Sequence, residues 1–158
     1  MKSLIIYYSL DGNVKLLSET MAKEIGADIL PLQPKKEIEA GSFMKYFWGG
    51  RQIVMKSTPE LEVLSLNPND YDLIILGTPV WMGDYTPAIR SFLTNNPLVN
   101  KKLAIFCSHE STPGKSLINL QDKLTGNEII SVTDFVAPLK KDKEASLEKA
   151  KVWVKSLI

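Results

Sequence analysis

Leu73-Ile74-Ile75-Leu76 is an apolar run with no polar alternation, and Gly77 follows it directly. A strand covered on one face alternates apolar with polar residues, whereas an unbroken run needs cover on both faces. Such a strand belongs in the middle of a parallel sheet, and parallel neighbours require crossover helices. Gly77 is expected to stop the strand. Beyond it lies a loop with Pro79, Trp81 and Gly83, after which Pro87 opens a segment whose Ala88, Ile89, Phe92 and Leu93 have helical spacing. Strand, glycine-bounded loop and helix in that order place a binding loop at the carboxyl end of a parallel sheet.

The same grammar recurs along the chain. Lys2 to Tyr8 reads as a first buried strand, broken by Ser9-Leu10-Asp11-Gly12-Asn13. Val14, Leu17, Met21 and Ile25 then recur at helical steps, with Gly26 as the stop. Ala27 to Leu32 would be the second strand, at a sheet edge because Pro31 cannot donate to a ladder. Lys102 to Cys107 reads as the fourth strand, with Ser108 to Gly114 as its loop, and Leu117, Leu120 and Leu124 mark a helix ended by Gly126. Glu128 to Val136 is a β-branched fifth strand, and Glu144 to Ile158 an amphipathic helix through Leu147, Ala150, Val154 and Leu157. Five strands alternating with helices predict a doubly wound, three-layer α/β sandwich, with residues 1–158 as one domain.

Residues 33–70 fit this grammar least well. Pro34 to Gly41 is a polar link, and Ser42 to Lys56 is aromatic-rich and expected to be helical, with Gly49 and Gly50 marking a kink or a close contact. Phe43, Tyr46, Phe47 and Trp48 would form a helix face over the sheet or, as the alternative, a lid. Leu61, Val63, Leu64 and Leu66 suggest an extended return to the central strand.

Composition excludes several classes of function. The 19 Lys and Arg residues nearly balance 18 Asp and Glu, which gives no bulk electrostatic case for nucleic acid or an anionic membrane. Lys140, Lys141 and Lys143 form the one basic cluster, read as a solvated helix start because Asp142 and Glu144 interrupt it. A single cysteine, Cys107, fits a reducing compartment and is read as a small buried hydrophobe. Leu4 to Tyr8 is too short for a secretory core, no run approaches the ~20 residues of a membrane span, and a cytoplasmic location is expected. His109 has no partners at ligand spacing, so no metal site is expected.

In a doubly wound sheet the loops after the strands gather on one rim. Three of them carry candidate chemistry. In Ser9 to Val14, Gly12 permits a tight turn, Ser9 and Asn13 offer side-chain hydrogen bonds, and the start of the first helix presents unpaired amides and its positive dipole end. That suits a phosphate. In Thr78 to Tyr85, Trp81 is a flat side chain on which a planar ring could stack, or a ring tucked over the next helix, and Tyr85 is a second wall or rim packing. The third loop runs from Ser108 to Gly114. Its end, Pro113-Gly114-Lys115-Ser116, imitates a P-loop, but His109 stands where that motif needs glycine.

Together the three loops resemble those of the flavodoxin family, over nearly the whole chain. Ser9-Leu10-Asp11-Gly12-Asn13-Val14 is similar to the family's phosphate loop, Ser/Thr-x-Thr-Gly-Asn-Thr. Thr78-Pro79-Val80-Trp81-Met82-Gly83, preceded by Gly77, is similar to the loop laid against the flavin ring. The resemblance implies a short single-domain flavodoxin with strand order 2-1-3-4-5. It also implies non-covalent FMN, with its phosphate at residues 9–14 and its ring between the second loop and Ser108, His109 and Glu110 of the third.

The chain departs from that pattern in places. Asp11 and Val14 stand where the family has hydroxyls, and the third loop has His109-Glu110-Ser111-Thr112 where glycines are common. Asp11 must point away from a phosphate, cap the helix or brace the loop.

The functional expectation is electron transfer through FMN between redox partner proteins, in a monomer or homodimer. Because electron-carrying flavodoxins are usually acidic and this chain is close to neutral, an NAD(P)H-dependent FMN or quinone reductase is the alternative. A non-flavin binding module on the same fold is the second alternative.

Overall fold

The computed structural model describes residues 1–37 and 57–158. The expected helix over 42–56, with its glycine pair and aromatic face, lies outside the described residues. Five parallel strands form one sheet: β1 (Ser3–Tyr7), β2 (Asp28–Pro31), β3 (Leu73–Pro79), β4 (Lys102–His109) and β5 (Glu128–Val136), in the order β2-β1-β3-β4-β5. The described α-helices are α1 (Asn13–Ile25), α2 (Pro87–Asn95), α3 (Ser116–Lys123) and α4 (Lys143–Lys155). This is the doubly wound, three-layer fold expected of the sequence, with β2 and its Pro31 at an edge.

The unalternating strands are buried on both sides. Leu4, Ile6, Ile74, Leu76 and Ile105 pack with Ile89 and Phe92 of α2 and Leu120 of α3. Their neighbours Ile5, Ile75, Ala104 and Phe106 turn the other way, onto Leu17 and Met21 of α1 and Ala150 and Val154 of α4. At roughly 1.5–3 kcal/mol per buried aliphatic or aromatic side chain, this two-faced burial is the main reason the strands sit mid-sheet.

Gly77 does not end β3 as expected. The strand continues to Pro79, and a Cβ at Gly77 would lie 2.4 Å from Phe106 Cζ. The glycine leaves room for an aromatic ring on the neighbouring strand. Likewise β4 runs two residues past Cys107, because Val80 N–H donates to Ser108 O (3.0 Å) and Ala137 N–H to His109 O (2.7 Å), extending the pairing on both sides. Of the extended return, Leu61 bridges Pro34, Leu61, Leu64 and Leu66 pack against the core, and Val63 points to solvent.

Candidate functional site

The carboxyl ends of β1, β3 and β4 open onto a cavity of about 550 Å³. Small-molecule sites commonly fall between about 300 and 1,000 Å³. A larger hollow, about 670 Å³, lies at the amino ends of the strands among Tyr71, Asp72, Lys101 and Glu128. We regard the smaller cavity as the site, because ligands in open α/β sheets bind beyond the carboxyl ends of the strands.

The first loop is folded by its own side chains. Gly12 has φ of 97°, a left-handed conformation that glycine adopts without a Cβ penalty. Ser9 Oγ accepts Gly12 N–H at 3.2 Å, and Asp11 Oδ1 accepts Asn13 N–H at 3.1 Å, so Asp11 braces the first turn of α1. Asn13 is buried, and its Oδ1 accepts Leu139 N–H at 2.8 Å. Val14 is wholly buried among the residues under α1, which accounts for an aliphatic side chain at that position.

The second loop is a tight reversal. Trp81 and Asp84 exchange both backbone hydrogen bonds, at 2.9 and 3.0 Å, around Met82 and Gly83. Both central residues have positive φ, 53° and 73°, as mirror-image two-residue turns require. Thr78 ties the base of the loop from inside: its Oγ1 donates to Pro79 O (2.9 Å) and accepts Thr86 N–H (3.2 Å). Trp81 meets Tyr8 edge-on, with centroids 5.5 Å apart and planes at 85°. Burial, and then the hydrogen bond to Glu37 at 2.8 Å, hold the Tyr8 phenol protonated well above its usual range. Tyr85 belongs to the core under the guanidinium of Arg90, and Arg90 also faces Asp84 at 3.9 Å.

The third loop is stapled to the second. Lys115 N–H donates to Gly83 O at 2.7 Å, and a Cβ at Gly114 would lie 2.6 Å from Gly83 Cα. Two glycines therefore let two backbones touch, although the third loop reads as glycine-poor up to Thr112. His109 is buried, with Nε2 paired to Asp134 Oδ2 at 2.7 Å, and its Nδ1 has no partner among the described residues. Glu110 pairs with Lys140 of the segment after β5.

Of the sequence candidates, the cavity is lined by Leu10, Asp11 and Asn13, by Pro79 to Gly83, and by Ser108, His109 and Glu110. Ser9, Gly12, Val14 and Thr78 are not on its surface and act beneath it. Ser111 and Thr112 of the third candidate loop, not singled out as binding residues, also line it, as do Ala137 and Lys140 from outside the three loops. Counting the loop after β5 with the other three would have found Ala137 and Lys140, since every strand of a parallel sheet ends on the same rim. Among the described residues there is no cluster able to hold a metal ion, and no helix is long and apolar enough to cross a membrane.

A five-stranded doubly wound sheet with a glycine turn at the first helix and an indole-bearing loop after the third strand defines a flavodoxin-like protein. The chain belongs to the flavodoxin family, whose model matches residues 2–154. Its fold is shared with a protein from Bacteroides uniformis ATCC 8492, at TM-score 0.82 and 23% identity, over 98% of this chain and 97% of that one. A flavoprotein from Lactobacillus acidophilus NCFM, solved in complex with FMN, superposes at TM-score 0.68 with 24% identity over 91% of this chain and 98% of its own. In sequence the chain is also similar to NAD(P)H dehydrogenase (quinone) 3 of Rhizobium meliloti (strain 1021), 28% identical over 124 residues. That match takes in 72% of this chain and 55% of the relative, so the chain spans about half the length of this curated relative.

Proposed function

We propose that the chain is a flavodoxin-type redox protein that holds FMN non-covalently between its three loops, its residues 1–158 acting as one domain in the cytoplasm. The observation that carries this reading is the meeting of Leu10, Asp11 and Asn13, which flank the α1 glycine turn, with Trp81 across one cavity at the carboxyl rim. The FMN complex of the Lactobacillus relative on the same fold supports it.

The donor set suits such a ligand. The first turn of α1 supplies a positive dipole end and the amides beyond those of Gly12 and Asn13, which Ser9 and Asp11 already hold, for a phosphate. Trp81, in edge contact with Tyr8, is an aromatic ring in the cavity lining, and the Gly83 and Gly114 contact fixes the two loops that would enclose a flavin ring. The buried Nδ1 of His109 is a polar atom of a cavity-lining residue that has no partner among the described residues. Bound FMN would supply reversible electron transfer, while the protein orients it, limits water and sets the surrounding charge.

An absorption spectrum of the purified chain, before and after addition of FMN and gel filtration, tests the reading. A flavin band that travels with the protein is expected. A preparation that stays colourless at saturating micromolar FMN removes the flavin reading and leaves a binding module on the same fold.

A second reading, an NAD(P)H-dependent flavin or quinone reductase, is favoured by the similarity to the Rhizobium dehydrogenase and by the near balance of 19 basic and 18 acidic residues. Anaerobic addition of NADPH without a reductase separates the two. Prompt bleaching of the flavin band indicates the reductase, and an unchanged band the carrier that receives electrons from a protein partner.

A further inference from the structure

The segment between β5 and α4 does not run straight from one to the other. Ala137 N–H donates to His109 O at 2.7 Å, Lys140 and Lys141 N–H both turn back onto Ala137 O at 3.0 Å, and Leu139 N–H reaches Asn13 Oδ1 in the first loop. The Leu139 side chain then lies over Gly12, where an added Cβ would stand 3.2 Å from Leu139 Cδ1. A turn far along the chain is thereby fixed to the first turn of α1, and it carries Lys140 to the cavity.

The charges there are unequal. Asp11 and Glu110 put two carboxylates on the cavity, and Lys140 is the one Lys or Arg among the described residues that line it. Its ammonium pairs with Glu110, and Lys141 Nζ holds the Glu110 carbonyl oxygen at 3.2 Å. The Glu110 pairing and the field of Asp11 both favour the protonated Lys140. With its side chain 59% exposed, Lys140 can exchange one partner for another at small cost. A dianion entering beside Asp11 is repelled by that carboxylate, and Lys140 is the cation positioned to offset it.

We propose that Lys140 recognises the phosphate of the bound flavin, leaving Glu110 for the phosphate at the opening of α1. This rests on the flavin reading above and adds to it one residue, from the segment after β5, that holds the phosphate.

Titration of the full chain with FMN and, separately, riboflavin tests it, because riboflavin has the ring without the phosphate. Lys140→Gln is expected to weaken FMN about tenfold, as loss of one charge-assisted contact would, and to leave riboflavin within about twofold. Lys140→Arg should retain FMN binding, and the salt dependence of FMN affinity should flatten in Lys140→Gln. Glu110→Gln, which frees Lys140, should tighten FMN about threefold without changing riboflavin. Lys123→Gln, on the exposed end of α3, serves as the control.

Equal losses for both ligands, or no change for either in Lys140→Gln with an unaltered melting curve, would overturn the proposal. If the unmodified chain binds neither ligand, the flavin reading itself fails, and that result needs no variant.

Discussion

The cavity has two halves built on different physics. The second and third loops meet backbone to backbone, through Gly83 and Gly114, on a base of buried neutral groups such as Thr78 and Cys107. The first loop and the segment after β5 meet through side chains: Asn13 Oδ1 on an amide, a flexible leucine over Gly12, and the charges of Asp11, Glu110 and Lys140 around the opening. Steric fit of backbones is indifferent to salt and intolerant of an added methyl. Contacts made by exposed charges have the opposite sensitivities. One half thus fixes shape, and the other adjusts affinity.

If the shape-fixing half is as closed as this implies, the largest effect will be seen at Cys107. Burial pushes its thiol up to about 12, against an ordinary value of 9.0, and outweighs the opposing hydrogen bond with Ser116. Alkylation at pH 8 should run about a thousandfold slower in the folded chain than in urea, since it then waits on opening of the structure. The same proton has a sign in stability. Between about pH 9 and 12 the unfolded chain has released it and the folded chain has not, so stability falls as pH rises through that window. Tyr71, raised to about 12 first by its hydrogen bond to Asp28, adds in the same direction from 10.0 upward. A thiol labelled at equal rates in both states would show that this half opens freely.

Glycine substitutions compare the halves directly. A Cβ at Gly114 meets backbone atoms of Gly83 at 2.6 and 2.7 Å, and its φ is 55°. Gly114→Ala should cost about 3 kcal/mol, measured by urea unfolding, because neither backbone can yield. Gly12→Ala shares the unfavourable φ but meets only the Leu139 side chain, which can turn away, so about 1 kcal/mol is expected. Equal costs would erase the distinction.

How much of this was legible in the sequence follows the same division. The layers and the three loops could be reached from unalternating runs such as Leu73 to Leu76 and from helical spacing such as Val14, Leu17 and Met21, because burial on two faces leaves a local pattern. The rule that such loops share one rim placed them together, and the resemblance of residues 9–14 and 78–83 to known loops implied the strand order. Contacts between distant residues left no such pattern. The roles of Gly77 under Phe106, and of Gly114 against Gly83, depend on which backbones the fold brings together. Lys140, read as a solvated helix start, is exposed and yet lines the cavity; the rim rule applied to the loop after β5 would have flagged it, and the crossing of Leu139 to Asn13 shows how it is held there.

Trp81→Ala removes the aromatic face from the rigid half. FMN and riboflavin should both weaken, each by about tenfold, because the lost contact is to the ring they share. Glu110→Ala should leave riboflavin closer to the parent value than Trp81→Ala does. The reverse ranking would mean that the indole is a core residue and that the ring sits elsewhere.

The smallest effect tests the adjustable half. Asp11 Oδ1 accepts the Asn13 amide, so Asp11→Asn retains an acceptor for that turn while deleting a charge. At about 5 Å in water-like surroundings a pair of unit charges interacts by roughly 0.8 kcal/mol. FMN should therefore tighten about fourfold in Asp11→Asn at low salt, with the gain fading near 0.5 M salt as the Debye length shrinks to about 4 Å. Riboflavin, carrying no phosphate, should not respond. Were Asp11→Asn to weaken FMN instead, the carboxylate would be needed for the turn itself, and the first loop would belong with the shape-fixing half. A gain that persisted in high salt would place Asp11 in contact with the phosphate, shielded from solvent, and not turned back onto the Asn13 amide.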